Sequence, residues 1–569
     1  MFSGKIIQNQ SNRNGINRIW MVILSILGIM VCLVVLLPQV TQLIVRLVEQ
    51  FIQKELYWHQ MWLKILPLIA ITGICFFLFN MKQELKDCLF EINFRSFLKP
   101  VLILSGVYLL GTLTIMRANF TYLDDCWRNV DGLRLWYKWS RYIVEFISIV
   151  IHGDTKMTDI SPLPQLLSII ILSVSSVLLV YVISDRKLTI VRVLASIPLG
   201  LAPFFLECFS YKYDAPYMAL SIFVCIIPFL FVARKKAFLF CSVISVLSMC
   251  MIYQAASGIY PLIVMILSFQ DWNSRKKPNK EILSFMGMAA LAFCCAMLFF
   301  KIFLIIPQDD WGHYIVATML PLPDILSGTL NNIKEYAITI NHDLGAIWKI
   351  WIAFVLLFFI TKSISKSAQK KWVAFIISLL LIGISFVLSY GLYAALVKPL
   401  FALRAFLGFG VFLSILCIYV VSDYKKIASV MVFALNWCLL VFAFSYGNAL
   451  ADQARYGEFR TGILLHDLSA LYPDRSEKDF QIQLENSIDY APSVKNISKH
   501  YPVIERLVPR RLGAEIYRDD FYYWVYNNFE IKLHNDPVDF NTLDLPVVLD
   551  SYYHTIKSNG TYCLVILKH

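Results

Sequence analysis

Charged residues are scarce in this chain. They make up 16% of its 569 residues, whereas soluble globular domains carry about 25%, so an ordinary soluble fold is excluded at once. Hydrophobic residues fill 58%, and mean hydropathy is +0.63. No CxxC pair occurs among the 13 cysteines, and many lie inside apolar runs (Cys32, Cys225, Cys241, Cys294, Cys295). There they act as small hydrophobes, which leaves a disulfide framework or zinc knuckle without support. No histidine cluster is present, so no metal is expected beyond a weak Mg²⁺ at carboxylates. Internal repeats, low-complexity linkers and a nucleotide-binding pattern are all missing. No small-residue cleavage site follows the first apolar run, Ile19 to Leu37, so that run is read as a retained span. Alternation of period two, the mark of barrel strands, is missing too.

What the chain does have is a series of apolar runs near the ~20 residues that cross a bilayer as helix. In order they are 19–39, 61–80, 99–116, 163–184, 190–208, 215–233, 237–253, 256–269, 281–306, 345–361, 372–396, 401–421 and 427–446. This predicts a polytopic α-helical membrane protein of about 13 spans. The short pair around Tyr253-Gln254 decides the sidedness downstream, and the basic residues settle it. With 13 spans and the N-terminus inside, every short basic connection falls on one face, from Arg13 and Arg18 through Lys235 and Lys276 to Lys425 and Lys426, as the positive-inside rule requires. Merging the pair would place the last three basic clusters on the wrong side. The net charge of +12 is thus explained by topology, and nucleic acid is not expected as a partner.

The opposite face collects loops 117–162 and 307–344, a short turn at 209–214, and a tail. The division expected is a transmembrane domain over 1–447 and an extracytoplasmic α/β domain over 448–569. Segment 133–151 is too charged to span and predicts one interfacial helix, with Trp136 and Trp139 at headgroup level; segment 41–58 has the same character. In the tail, helices are expected at 459–471 and 496–507. Strands are expected at 547–556 and 562–567, around the turn Ser558-Asn559-Gly560.

Three polar sets lie on the outer face. The first is Tyr122, Asp124, Asp125, Arg128 and Asp131, with Arg141 following. The second, ECFSYKYDAPY, contains Glu207, Tyr211, Lys212 and Asp214; the third is the Tyr253-Gln254 break. Arg404 is a single charge near the outer end of its span. The shared membrane depth would let one cleft hold them all. Carboxylates are costly near hydrocarbon, and at the rim one can take the proton of an acceptor hydroxyl attacking an anomeric carbon. Arginine or lysine can hold a departing phosphate, and tyrosine rings suit sugars. Simpler roles exist for each: a helix cap or solvated turn for the Asp pair, a helix–helix contact for Glu207, snorkelling for Arg404. Asp309-Asp310 reads as plain loop.

The residues YLDD…R…DG (122–132), ECFSYKYDAPYMALS (207–221), YQAASGIY (253–260) and HYPVIERLVP (500–509) resemble the bacterial type II serotype-converting glucosyltransferases. These are multi-span, GT-C-type enzymes. The resemblance runs from about residue 100 into the tail, and its middle motif is the most specific. It implies transfer of a hexose, glucose, from undecaprenyl phosphate to a surface polysaccharide such as O-antigen, outside the bacterial inner membrane, by one inverting displacement. Asp124 or Asp125 would be the base. Arg128, Arg141, Lys212 and Arg404 would bind the lipid phosphate. Tyr122, Glu207, Tyr211, Asp214, Tyr253 and Gln254 would shape the sugar and acceptor pocket. A carrier-lipid glycosyltransferase and a flippase would be functional partners. The resemblance also implies glycine before Arg141, where this chain has Ser140. The alternatives are a polysaccharide polymerase and a transporter or flippase of lipid-linked sugars, for which broken helices at mid-membrane would be the mark.

Overall fold

The computed structural model describes residues 95–305, 318–422, 426–473, 481–510, 512, 532–533 and 539–568. Expected spans 19–39 and 61–80, the segment 41–58 and Asp309-Asp310 lie outside them. Almost all described residues belong to one compact unit, 93–298 with 307–569; of the other, 1–92 with 299–306, only 299–305 are described.

Eight described helices are long and apolar enough to cross a membrane: Arg95–Ala118, Leu163–Ile183, Lys235–Ile252, Asn279–Leu304, Ala346–Ser365, Lys371–Ser389, Leu403–Val421 and Lys426–Leu471. The chain is a polytopic helical membrane protein. Leu403–Val421 is the hub, with 94% of its apolar window buried against 22% for Ala346–Ser365, which faces outward. Between helices in lipid there is little hydrophobic drive, so close approach and internal hydrogen bonds must hold them. Both are present. A Cβ on Gly408 or Gly258 would lie 2.2 Å from the Ser389 carbonyl oxygen or 2.1 Å from that of Leu388, so the end of Lys371–Ser389 is seated on two glycines. Tyr108 and Ser176 hydroxyls meet at 2.7 Å, and the Asn436 amide donates to the Leu194 carbonyl at 2.9 Å.

The stretch expected as one span at 190–208 is instead three short helices, Ile190–Leu194, Pro198–Leu201 and Pro203–Ser210, with a 59° bend before the last. The cause is local. Pro203 has no N–H and crowds the residue before it, and Ala202 duly adopts extended φ −67, ψ 149. Two prolines signalled this in the sequence. At the Tyr253-Gln254 break, Lys235–Ile252 ends on an extended Tyr253 (φ −157, ψ 106), and a 3₁₀ turn, Gln254–Gly258, leads into Ile259–Asn273.

The single interfacial helix expected at 133–151 is also divided. A 3₁₀ turn, Trp136–Trp139, stops at Ser140, whose φ is +57 and whose N–H caps the Trp136 and Tyr137 carbonyls; Tyr142–His152 follows. Trp139 is exposed, but Trp136 is fully buried because its indole N–H donates to Asp214 at 2.5 Å. It is not a headgroup anchor. The left-handed conformation of Ser140 favours glycine. Ser140→Gly should therefore raise stability by up to about 1 kcal/mol without altering the site, as a thermal melt of the purified protein would register. The expected loop 307–344 contains a helix, Ile325–Asp343.

Lys426–Leu471 is a single 46-residue helix, about 69 Å at 1.5 Å per residue. It passes residue 447 without a break. Near its end, Leu464 and Leu468 pack with Ile482, Leu484, Ile556, Val565 and Leu567 in a small core. That core backs a five-stranded sheet: β1 Gln481–Glu485, β2 Lys532–Leu533, β3 Val547–Asp550, β4 His554–Ser558 and β5 Tyr562–Leu567, in the order β2-β1-β5-β4-β3. β1 runs parallel to β2 and β5, while β5–β4 and β4–β3 are antiparallel. The β4–β5 hairpin turns at Gly560 (φ +95). The strand expected at 547–556 is split because the Ser551 hydroxyl accepts the N–H groups of Tyr553 (3.3 Å) and His554 (3.2 Å) and turns the chain. Likewise 496–507 is two helices, Pro492–His500 and Ile504–Leu507, separated around Pro502, which cannot donate within a helix.

Candidate active site

Loop 117–162 and the turn after Pro203–Ser210 are joined by a buried polar scaffold. Asp124 stands at the N-cap of the short helix Asp125–Asp131, so Asp125 is its first residue and turns inward. The Asp125 carboxylate is wholly buried. It accepts the backbone N–H of Lys212 at 2.8 Å and of Tyr213 at 3.5 Å, which ties the acidic loop to the 211–214 turn. Arg128 ion-pairs with Asp214 at 2.5 Å and lies over the Trp136 ring at 4.6 Å. The Lys212 ammonium reaches Asp159 at 3.1 Å.

Burial pushes the Asp125 carboxyl up from 3.8 to about 8, with Arg128 opposing the shift and Asp214 adding to it. Burial thus favours its neutral form. The sign of its effect on stability follows. A raised folded-state value means that the native chain keeps a proton the unfolded chain loses. This contribution is complete below about pH 4 and is lost as pH rises to about 8. Melting temperatures of wild type and Asp125→Asn, compared from pH 5 to 9, should show wild type losing ground to the variant as pH rises.

A second group surrounds Arg404, on the 3₁₀ turn Leu403–Phe406. Glu207, buried, accepts the Arg404 backbone N–H at 2.6 Å and its guanidinium at 2.7 Å. The same guanidinium lies 5.1 Å over the Tyr211 ring, and the Tyr253 hydroxyl donates to the Arg404 carbonyl at 3.5 Å. Arg141 stacks on the other ring of this set, 4.7 Å from the Tyr253 centroid, and donates to Gln254 at 3.5 Å. It has no carboxylate partner among the described residues. Gln254 in turn donates to the Trp139 carbonyl at 3.1 Å. Asp124 acts electrostatically on both Arg404 and Tyr211. The Tyr211 hydroxyl is buried with no hydrogen-bond partner among the described residues, which leaves it for water or a ligand.

All twelve residues given a role in the sequence thus fall into one connected region, the Tyr122 ring lying 4.8 Å from that of Tyr211, whereas Asp131 of the first polar set is exposed at the end of its helix. Four of them are partly exposed: Asp124, Arg141, Gln254 and Arg404. The other eight, Tyr122, Asp125, Arg128, Glu207, Tyr211, Lys212, Asp214 and Tyr253, are buried. Arg128 and Lys212, expected on the lipid phosphate, are held by Asp214 and Asp159. Asp214, expected in the sugar pocket, braces Arg128 and Trp136. Sequence reasoning missed Trp136, Asp159 and Tyr446, none of which stands in a motif; the Tyr446 hydroxyl meets Ser210 at 2.7 Å. It also gave no task to Arg506 and Leu507, although the 500–509 motif contains them. Among the described residues, no three of His, Cys, Asp and Glu converge as a metal cluster.

Residues 113–415, more than half the chain, match the family described as Glucosyl transferase GtrII. The chain is also 25% identical, over 446 residues, to an uncharacterized 55.3 kDa protein in the gtrB 5′ region of Salmonella phage P22; this covers 75% of the chain and 89% of the phage protein. No solved structure matches.

Proposed function

The chain belongs to the Glucosyl transferase GtrII family and is a glycosyltransferase; from that premise we propose that it moves glucose from undecaprenyl phosphate to a surface polysaccharide at the outer face of the bacterial inner membrane. The fold is then GT-C-like with 13 spans, the N-terminus inside and the C-terminal α/β domain outside. The observation that carries this reading is the partition just described. The Asp124 carboxylate and the Arg141 and Arg404 guanidinium groups are partly exposed, while Asp125, Arg128, Lys212 and Asp214 are buried.

In this reaction the acceptor hydroxyl oxygen attacks the anomeric carbon, and Asp124 takes its proton. The bond from that carbon to the phosphate oxygen breaks, with inversion. The lipid phosphate leaves with the electron pair, held by Arg141 and Arg404 through charge-assisted hydrogen bonds. We assign the role of base to Asp124 and that of positioning the loop to Asp125, because Asp125 is completely buried and accepts two backbone N–H groups. Tyr211, Tyr253 and Gln254 face the sugar. The two arginines supply the positive charge that a cation would otherwise bring, so we expect a chelator to leave the rate unchanged; restoration by Mg²⁺ after chelation would instead assign a metal to the carboxylates. The decisive test follows release of bare lipid phosphate when purified protein is given defined polyprenyl-phospho-sugars and an acceptor glycan. Failure to release it from any lipid-linked hexose would end this reading.

One observation favours a second reading, a transporter of lipid-linked sugars: the 59° bend before Pro203–Ser210 and the Glu207–Arg404 pair beside it resemble the broken helices of transporters. Movement of lipid-linked sugar across vesicles without any transfer product would decide for it. Shortened polysaccharide chains in a deletion strain, in place of a missing side branch, would decide for a polymerase.

A further inference from the structure

Two neighbouring residues of the tail reach into the two halves of the site. Arg506 lies on the short helix Ile504–Leu507, far beyond the family-matched segment, which ends at residue 415. Its guanidinium donates to Asp343 and to the Phe401 carbonyl, and it lies 5.9 Å from the Phe406 ring. Phe401 precedes the turn that presents Arg404, and Phe406 closes it. Asp343 ends the helix Ile325–Asp343 and is almost fully buried. The next residue, Leu507, offers its carbonyl to the Tyr122 hydroxyl at 2.8 Å and to that of Tyr446 at 3.4 Å. Tyr122 stands two residues before Asp124.

We propose that Arg506 is a positioning residue for glucosyl transfer: it fixes both ends of the turn carrying Arg404, while the adjacent Leu507 carbonyl anchors the loop carrying Asp124. The tail is on this account part of the reaction centre. The inference rests on the function proposed above for Arg404 and Asp124. The chemistry of the contact explains why arginine stands there. A planar fork can serve a carboxylate and a carbonyl at once while its face lies on a ring, whereas a lysine ammonium is a single point of charge. The consequence falls on the lipid donor, because Arg404 is the group displaced when the turn loosens.

The test uses the full-length protein in nanodiscs, with Arg506→Lys as the main variant because it keeps the charge opposite buried Asp343. The expected result is a rise of about tenfold in KM for polyprenyl-phosphoglucose, with KM for the acceptor glycan unchanged. Faster backbone hydrogen exchange should accompany it at 403–407, with exchange of β1, β4 and β5 as in wild type. Arg506→Gln should show the same pattern more strongly. A folded Arg506→Lys protein with wild-type donor KM and wild-type exchange at 403–407 overturns the proposal, as does a change confined to the acceptor KM. If wild type itself transfers nothing, the functional reading has failed, and the exchange comparison by itself still decides whether Arg506 holds the Arg404 turn.

Discussion

Asp124→Asn should lower glucosyl transfer by about 10²–10⁴-fold, the usual effect of removing a general base, while Asp125→Asn stays within about tenfold of wild type. The two carboxylates are neighbours in sequence, yet the structure gives them opposite surroundings. Asp125 is buried, which pushes its carboxyl up to about 8, and an uncharged amide of nearly the same shape can still accept the Lys212 N–H through its oxygen. Asp124 is partly exposed, and an amide there cannot take a proton. The measurement is lipid-phosphate release by purified variants at matched protein levels, with the melting temperature of each recorded. Equal loss in both variants, with normal melting, would return Asp125 to the reaction.

The second large effect concerns stability. Arg128→Met should destabilise the protein by about 3–5 kcal/mol, because removing one partner of a buried pair strands the other charge. The stranded group would be Asp214, buried and also accepting the Trp136 indole N–H. Replacing both charges, as in Arg128→Met with Asp214→Leu, should recover part of the loss, since a buried pair is often no more stable than its hydrophobic replacement, while the Trp136 indole N–H loses its acceptor. Denaturant or thermal unfolding of Arg128→Met, Asp214→Leu and the double variant gives the coupling directly. If Arg128→Met melts normally but loses affinity for the lipid donor, Arg128 belongs to the phosphate site after all.

These two predictions mark where the sequence was legible. The described spans could be read because a continuously apolar run has few alternatives, and all eight long helices fall on runs visible in the sequence. The three polar sets, expected together at one membrane depth, do meet in one region. Adjacent positions on a helix point about 100° apart, so the roles of Asp124 and Asp125 separate only once the axis of Asp125–Asp131 is known. Nor could the choice among cations be read. Arg128, Arg141, Lys212 and Arg404 look alike until it is seen which of them a carboxylate holds, and Asp159 and Asp214 sit in different segments from the cations they hold. Local signals were stronger than the reading made of them. Pro198 and Pro203 announced the bend, Pro502 the break in 496–507, and Ser551 the turn between β3 and β4. Burial of Trp136 had no local signal, because it depends on an acid 78 positions away.

The uninterrupted helix Lys426–Leu471 has a mechanical consequence. A hinge between bilayer and sheet would let the terminal domain swing freely, as on a tether. Here the same rigid rod that lines the bundle carries the sheet, with Gln453 fastening it sideways to the Asp489 and Arg510 carbonyls. Orientation is therefore inherited: the sheet can tilt only as the rod tilts, and the rod at Tyr446 shares the Leu507 carbonyl with Tyr122. A pull on the sheet is felt, along that lever, at the loop that carries Asp124.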